Sequence, residues 1–286
     1  MPEIKLSQGR LQYRDEGTGS PVVLIHGLLV GGSVWDRVIP ALAPRARVII
    51  PDLPLGSHRV PMDPDADLSP PGLAALIAEL IERLELTDVT LVGNDTGGAL
   101  CQLVVANHPQ RIARLVLTNC DAFEDFPPGA FKLLIKGLGR IPGAVATLAI
   151  LGRTRVGRRA AMSMAPLTVE PPPDDLVKSW VAPLRDRAVR RDLIKVLRGI
   201  SPAHTLRAAE RLPLFDRPVL IAWGTRDPFF PLADAERLAA AFPDARLEQI
   251  ADARTFVQMD APERLAELIT DGLPSAQPRA VPTKGG

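Results

Sequence analysis

Four histidines, two cysteines and a single tyrosine are all that this 286-residue chain holds of three chemically versatile residue types. The histidines are His26, His58, His108 and His204, so no imidazole lies in the stretch after position 204. Cys101 and Cys120 sit in apolar surroundings without CxxC spacing, which excludes a disulfide framework and reads as buried, reduced thiols. A formal net charge of +1 excludes a global field for nucleic acid. No run approaches the roughly 18 uninterrupted apolar residues of a membrane span. The opening MPEIKLSQGRLQYRDEG is charged and lacks the apolar core of a signal sequence. These absences predict a cytoplasmic chain whose partner is a small apolar molecule. Nucleic acid, membrane contact, metal and cofactor are not expected.

What is present is a globular composition, 46% hydrophobic, ordered as strands alternating with helices. Apolar, β-branched runs mark strands at Leu11–Asp15, Val22–Ile25, Val48–Ile50, Val89–Gly93, Leu115–Thr118, Pro218–Trp223 and Ala245–Ile250. Apolar residues at Leu73, Leu76, Ile77, Leu80, Ile81 and Leu84 predict one helix face over 71–86, started by Ser69-Pro70-Pro71. Pro262–Gly272 predicts a closing helix. From 123 to 205 strand-like runs vanish, and helix-like segments rich in Arg, Ala and Leu replace them. The economical reading is a core of residues 1–122 and 206–273, a helical cap over 123–205, and a polar Pro/Gly-rich tail over 274–286. Such alternation implies a mostly parallel sheet flanked by helices, with ligands at the carboxyl ends of the strands.

The most informative stretch is LVGNDTGGAL, where Asp95 follows a predicted strand and opens an apolar helix. A turn that projects its central side chain leaves room only for tiny residues two places before and after it. Gly93 and Gly97 occupy those places, and Gly98 lets helix and strand approach closely. A helix-capping aspartate would not need glycine on both sides.

Here the chain resembles the α/β-hydrolase superfamily, and the likeness runs along nearly its whole length. His26-Gly27 resembles the family's oxyanion loop, and Asp52-Leu53-Pro54-Leu55-Gly56-Ser57 its turn after the next strand. Trp223-Gly224-Thr225-Arg226-Asp227 resembles the loop of the triad acid, and Asp260-Ala261-Pro262-Glu263 the start of the last helix. Aspartate at the elbow is similar to the branch of haloalkane dehalogenases and epoxide hydrolases. There an ionised carboxylate attacks an sp³ carbon without needing a base, and a base-activated water then hydrolyses the alkyl ester. The resemblance implies Asp95 as nucleophile, Asp227 at the triad-acid position, and the N–H groups of Leu28 and Thr96 as the oxyanion hole.

The family's histidine is missing. Laying RTFVQMDAPE on the family pattern puts Thr255 where the base belongs, and a hydroxyl is no base near neutral pH. His26 reads as a loop-orienting residue and His58 as a candidate at the pocket mouth. His108 reads as structural, and His204 as a helix-start residue. Asn94 and Trp180 are further pocket candidates. Without an imidazole to orient, Asp227 is left to pair with Arg254 or to hydrogen-bond Thr255. Asp121 and Glu124 read as solvated loop carboxylates. The insertion has no tyrosine to protonate an epoxide, and Thr96 and Leu28 stand where many dehalogenases place halide donors. The expectation is a hydrolase-fold enzyme acting on an apolar molecule through Asp95 and forming a slowly hydrolysed ester. The alternatives are a non-hydrolytic binder, or a lyase or isomerase using Asp95 as an acid–base group.

Overall fold

Eight strands form one twisted sheet in the computed structural model, which describes residues 1–161 and 166–273. They are β1 (Glu3–Leu6), β2 (Gly9–Gly17), β3 (Ser20–Ile25), β4 (Ala46–Pro51), β5 (Val89–Asp95), β6 (Ile112–Cys120), β7 (Val219–Gly224) and β8 (Ala245–Ile250). Their order is β1-β2-β4-β3-β5-β6-β7-β8, antiparallel only at β1/β2 and β2/β4. The order reverses beside β3, so β3 and β5 lie at the centre, where crevices open at strand ends. β1 is the one strand that periodicity did not predict, being four residues long and mostly solvent-facing.

The central strands are buried on both faces because helices cover both. α1 (Ile39–Leu42), α2 (Pro70–Arg83) and α3 (Thr96–Asn107) belong to the first half of the sheet. Ser69 caps α2 by accepting from the Gly72 N–H at 3.3 Å, as the Ser-Pro-Pro start predicts. α3 is buried along almost its whole length, in keeping with its nearly polar-free sequence. α10 (Leu232–Ala241), α11 (Val257–Asp260) and α12 (Pro262–Thr270) complete the core. Cys101 and Cys120 are free and buried, and burial pushes both thiols up.

Between β6 and β7 the chain is helical: α4 (Lys132–Arg140), α5 (Ala144–Leu151), α6 (Arg155–Ala161), α7 (Asp174–Val181), α8 (Arg187–Gly199) and α9 (Pro202–Ala209). The expected tail, 274–286, lies outside the described residues. These helices are tied to the loops after β3 and β4 by polar contacts. Trp180 donates its indole N–H to Ser33 Oγ at 2.8 Å. Arg191 donates to the Met62 carbonyl, and Lys195 to those of Pro64 and Ala66.

The most deeply buried of these ties is His58 with Asp192. The Gly56 N–H donates to His58 Nδ1 at 3.4 Å, so Nε2 carries the proton and donates to Asp192 Oδ2 at 3.3 Å. Burial works against charge on Asp192. Hydrogen bonds from His58, Arg191 and the Met62 N–H outweigh it and hold the carboxyl below its usual range. Removing one partner leaves the other buried and unpaired. Asp192→Ala is therefore expected to cost about 3 kcal/mol in denaturant unfolding. A loss under about 0.5 kcal/mol, the level of an ordinary surface substitution, would contradict this reading.

Candidate active site

The turn from β5 into α3 holds Asp95 at φ +54 and ψ −134, a region that non-glycine residues enter only under constraint. Its surroundings explain how the chain tolerates this. A Cβ on Gly93 would lie 2.7 Å from Gly97 O and the Gly98 Cα, and one on Gly97 would lie 2.5 Å from Ile25 O. The elbow therefore closes only with glycine at both places, and the packing presses Asp95 forward against the loop after β3.

There the carboxylate meets two backbone donors. The Leu28 N–H donates to Asp95 Oδ2 at 3.1 Å, and the Thr96 N–H lies near enough to favour the charged carboxylate. Gly27 lets the loop come this close, since a Cβ on it would sit 2.1 Å from Asp95 Oδ2. Asp95 keeps part of its surface accessible, whereas Asn94, Thr96, Asp121 and Thr255 around it are buried.

Three carboxylates converge here. Burial raises the Asp95 carboxyl to about 7, against the Leu28 and Thr96 N–H groups, and the charge of Asp227 adds to the rise. Asp121 is 1% exposed and accepts from Thr96 Oγ at 3.1 Å. Burial and the neighbouring Asp95 push its carboxyl well up. This corrects the expectation that Asp121 is solvated: β6 ends beside β5, pairing Cys120 with Asp95, and carries Asp121 under the elbow. Glu124 is exposed as expected, paired with Arg237. Asp227 accepts from the Phe229 and Phe230 N–H groups and from Asn119 Nδ2 at 2.9 Å. Burial still raises its carboxyl. Among the described residues, no lysine, arginine or histidine donates to any of the three.

Thr255 lies beside Asp227, and its hydroxyl helps hold that carboxyl charged. The contact falls short of hydrogen-bond geometry, and among the described residues the buried Oγ makes no other hydrogen bond. Arg254 does not pair with Asp227. It turns to the Thr168 carbonyl at 3.0 Å, while its N–H donates to Asp260.

None of the histidines stands in for a base. His26 accepts from the Leu53 N–H at 3.1 Å through Nε2 and donates through Nδ1 to Gly27 O at 2.9 Å. Burial lowers its pKa to about 4, so a neutral ring fastens the loop after β3 to the loop after β4. His58, a candidate for the pocket mouth, is committed to Asp192 on α8. His204 sits on α9, where burial lowers its pKa and the Gly199 backbone holds it. Trp180 spends its indole N–H on Ser33 and packs beside Gly31, so it offers no donor to the site. Asn94 is wholly engaged as well. It donates to Thr118, Asn119 O and Thr255 O, and accepts from Gln258 at 2.8 Å.

Asn119 and Gln258 are the residues that reasoning from sequence missed. Asn119 clamps β7 by donating to Gly224 O and accepting from its N–H, besides holding Asp227. Its signal was its place at the end of β6, where the strand-end rule directs attention. Gln258 carried no such signal. A cleft of about 590 Å³ between Ser33, Arg37, Pro172 and Met259, and another of about 360 Å³ beside Trp180, open near the loop after β3. Asp95 lines neither.

Comparison with known proteins places this geometry. A family model described as alpha/beta hydrolase fold matches residues 20–262. Haloalkane dehalogenase 2 of Mycobacterium tuberculosis is 31% identical over 273 residues, 93% of this chain and 92% of that protein. A cis-3-alkyl-4-alkyloxetan-2-one decarboxylase of Xanthomonas campestris is 29% identical, covering 91% of this chain and 90% of its own length. Among solved structures, an alpha/beta hydrolase fold protein from Burkholderia ambifaria superposes with a TM-score of 0.78. It is 26% identical, over 94% of this chain and 97% of that one.

Proposed function

The chain belongs to the α/β-hydrolase fold family, in its dehalogenase-like branch, and within that frame we propose that it alkylates itself at Asp95 with a small apolar electrophile. A carboxylate oxygen attacks an sp³ carbon. The new C–O bond forms as the carbon–leaving-group bond breaks, and the leaving group departs with the electron pair. The ester carbonyl stays within reach of the Leu28 and Thr96 N–H groups, which would carry the oxyanion in any hydrolysis.

The observation that carries this reading is the elbow itself: a strained aspartate, aimed at backbone donors and partly accessible, with no imidazole attached to it. A positioned general base is worth about 10²–10⁴ in rate. With Thr255 in its place, hydrolysis loses that factor and the ester accumulates. Intact-mass spectrometry against panels of alkyl halides and epoxides tests this. The expected result is one adduct per chain that maps to Asp95 and is absent from Asp95→Ala. The same adduct on Asp95→Ala would remove the proposal.

Attack needs the ionised carboxyl, so the pH profile follows from the site. Below about 7 the alkylation rate should fall close to tenfold per pH unit, and above it should level off. Stopped-time mass spectra across pH 5 to 9 check this, and a flat profile would contradict it.

A second reading has specific support. Asp95 titrates near neutrality beside another buried acid, and one relative's name is that of a decarboxylase, a reaction class that consumes no water. Asp95 would then move a proton in a lyase reaction rather than form an ester. Turnover of an apolar lactone without any mass adduct would favour it. A pure binding protein is distinguished by ligand-induced stabilisation equal in wild type and Asp95→Asn, with no product formed.

A further inference from the structure

Between Asp125 and Glu170 the chain contains no acidic residue and seven basic ones: Lys132, Lys136, Arg140, Arg153, Arg155, Arg158 and Arg159. For a molecule whose formal net charge is +1, this is a concentrated positive block. The same stretch holds most of the large apolar side chains that the described residues leave in solvent. Leu133 is 85% exposed, Val156 79% and Ile141 63%, and Ile150, Leu134 and Leu151 are exposed too.

The exposure has a structural cause. The segment Gly129–Arg140, which ends in α4, meets α5 at 107°, and the break at Ile141-Pro142-Gly143 is set by Gly143 at φ +82. α5 turns Val145, Leu148 and Ala149 inward, and they are buried. The bend leaves Ile141, Ile150 and Leu151 exposed, as Leu133 and Leu134 are on α4. Behind α5 a groove of about 830 Å³ is lined by Arg187, Arg190, Arg191, Lys195 and Arg198, against Asp186 alone among acids. Most of these cations bond to carbonyl oxygens. Arg190 reaches the carbonyls of Leu184 and Arg185, Lys195 those of Pro64 and Ala66, and Arg198 that of Gly139. Their charge is therefore oriented rather than neutralised. Among the described residues, only Arg191 of this groove is paired, with Asp192. On the outer face Lys132 lies 3.6 Å from Asp125, and Arg158 is paired with Asp174.

We propose that the outer face of α4, α5 and α6 is a docking surface for an anionic lipid bilayer. The aliphatic side chains at 133, 134, 141, 150, 151 and 156 enter the headgroup boundary while the surrounding lysines and arginines meet lipid phosphates. This is surface docking, because among the described residues no single helix is long and apolar enough to cross a membrane. Charge decides between occupants. A second copy seated on this face would bring two blocks of like charge together, with only Asp125 and Asp174, each already paired within its own block, as acids. A nucleic acid would find phosphate partners but no exposed aromatic platform, and it would leave the leucines and isoleucines in water. The proposal departs from the sequence-level expectation of no membrane contact. That expectation rested on the absence of a long apolar run, which does not report how the short apolar faces of α4 and α5 are exposed. It is independent of the chemistry proposed for Asp95.

Flotation of the purified full chain with phosphatidylcholine vesicles, with and without phosphatidylglycerol, tests it. Binding is expected only with the anionic lipid, and added salt should weaken it. Leu133→Ser/Ile150→Ser and Lys136→Glu/Arg153→Glu should each weaken it by about tenfold or more. Melting temperature and alkylation at Asp95 in lipid-free solution should stay unchanged, which separates lost docking from lost folding. No binding to anionic vesicles, or binding that neither pair of substitutions alters, would overturn the proposal. So would a dimer in light scattering that Leu133→Ser/Ile150→Ser disperses while vesicles remain unbound.

Discussion

Asparagine at position 95 should abolish alkylation and, at the same time, make the protein more stable at alkaline pH. The two effects share one cause. The fold places Asp95 beside Asp121 and Asp227 without a cation, and burial raises its carboxyl from 3.8 to about 7. A carboxyl whose folded value is raised opposes folding when it is charged. The penalty is absent at about pH 4 and below, grows as pH rises through the interval, and is complete above about 7. That rise corresponds to about 4 kcal/mol, which solvent at the partly accessible carboxylate reduces. Asparagine keeps the shape and the acceptor for the Leu28 N–H but removes the charge. At roughly 2–4 °C per kcal/mol for a protein near this size, Asp95→Asn should melt several degrees higher at pH 8. Calorimetry at pH 8 and pH 4.5 measures it, and the gain should shrink strongly at the lower pH. An unchanged or lowered melting temperature at pH 8 would mean the site stores no such electrostatic strain.

Thr255→His is the complementary change, one that adds chemistry. Position 255 is buried next to Asp227, and the Asp227 contact that its hydroxyl gives up would be replaced by the imidazole N–H. Asn119 and the Phe229 and Phe230 N–H groups already fix the Asp227 carboxylate, which is the orienting acceptor an imidazole N–H requires. The larger ring enters a packed site, so a loss of about 1–3 kcal/mol in stability is expected. In exchange, the ester on Asp95 should hydrolyse about 10²–10⁴ times faster than in wild type. Decay of the adduct mass after removal of excess electrophile gives the rate, with circular dichroism confirming the fold. Adding Asp227→Asn should return most of the gain. A folded Thr255→His whose adduct lasts as long as that of wild type would show that more than an imidazole is lacking.

How much of this could be read from residues alone depended on how local each signal was. The elbow declares itself in ten consecutive residues, because the glycines, the strand before it and the helix after it all bear on one backbone conformation. The positions of seven strands, the loop after β3 and the Asp260-Pro262 helix start were legible for the same reason. What escaped was set by contacts between distant segments. His58 pairs with Asp192 across 134 positions, Trp180 with Ser33 across 147, and Asn119 with Asp227 across 108. No periodicity encodes such pairs. Asp121 looked like a loop carboxylate because nothing in LTNCDAF says that β6 ends beneath the elbow. The outward apolar faces of α4 and α5 escaped too. A helix pattern shows that a face is apolar, and only the bend at Pro142-Gly143 decides which way it points.

The central claim is that Asp95 attacks and nothing finishes the reaction. Leaving-group release from excess alkyl halide, counted against chain concentration, tests it most directly. The expected result is a burst that ends at one equivalent of halide per chain, with a steady rate afterwards on the order of 10²–10⁴ below the burst rate. Steady release of many equivalents at the burst rate, or the same release from Asp95→Asn, would contradict it.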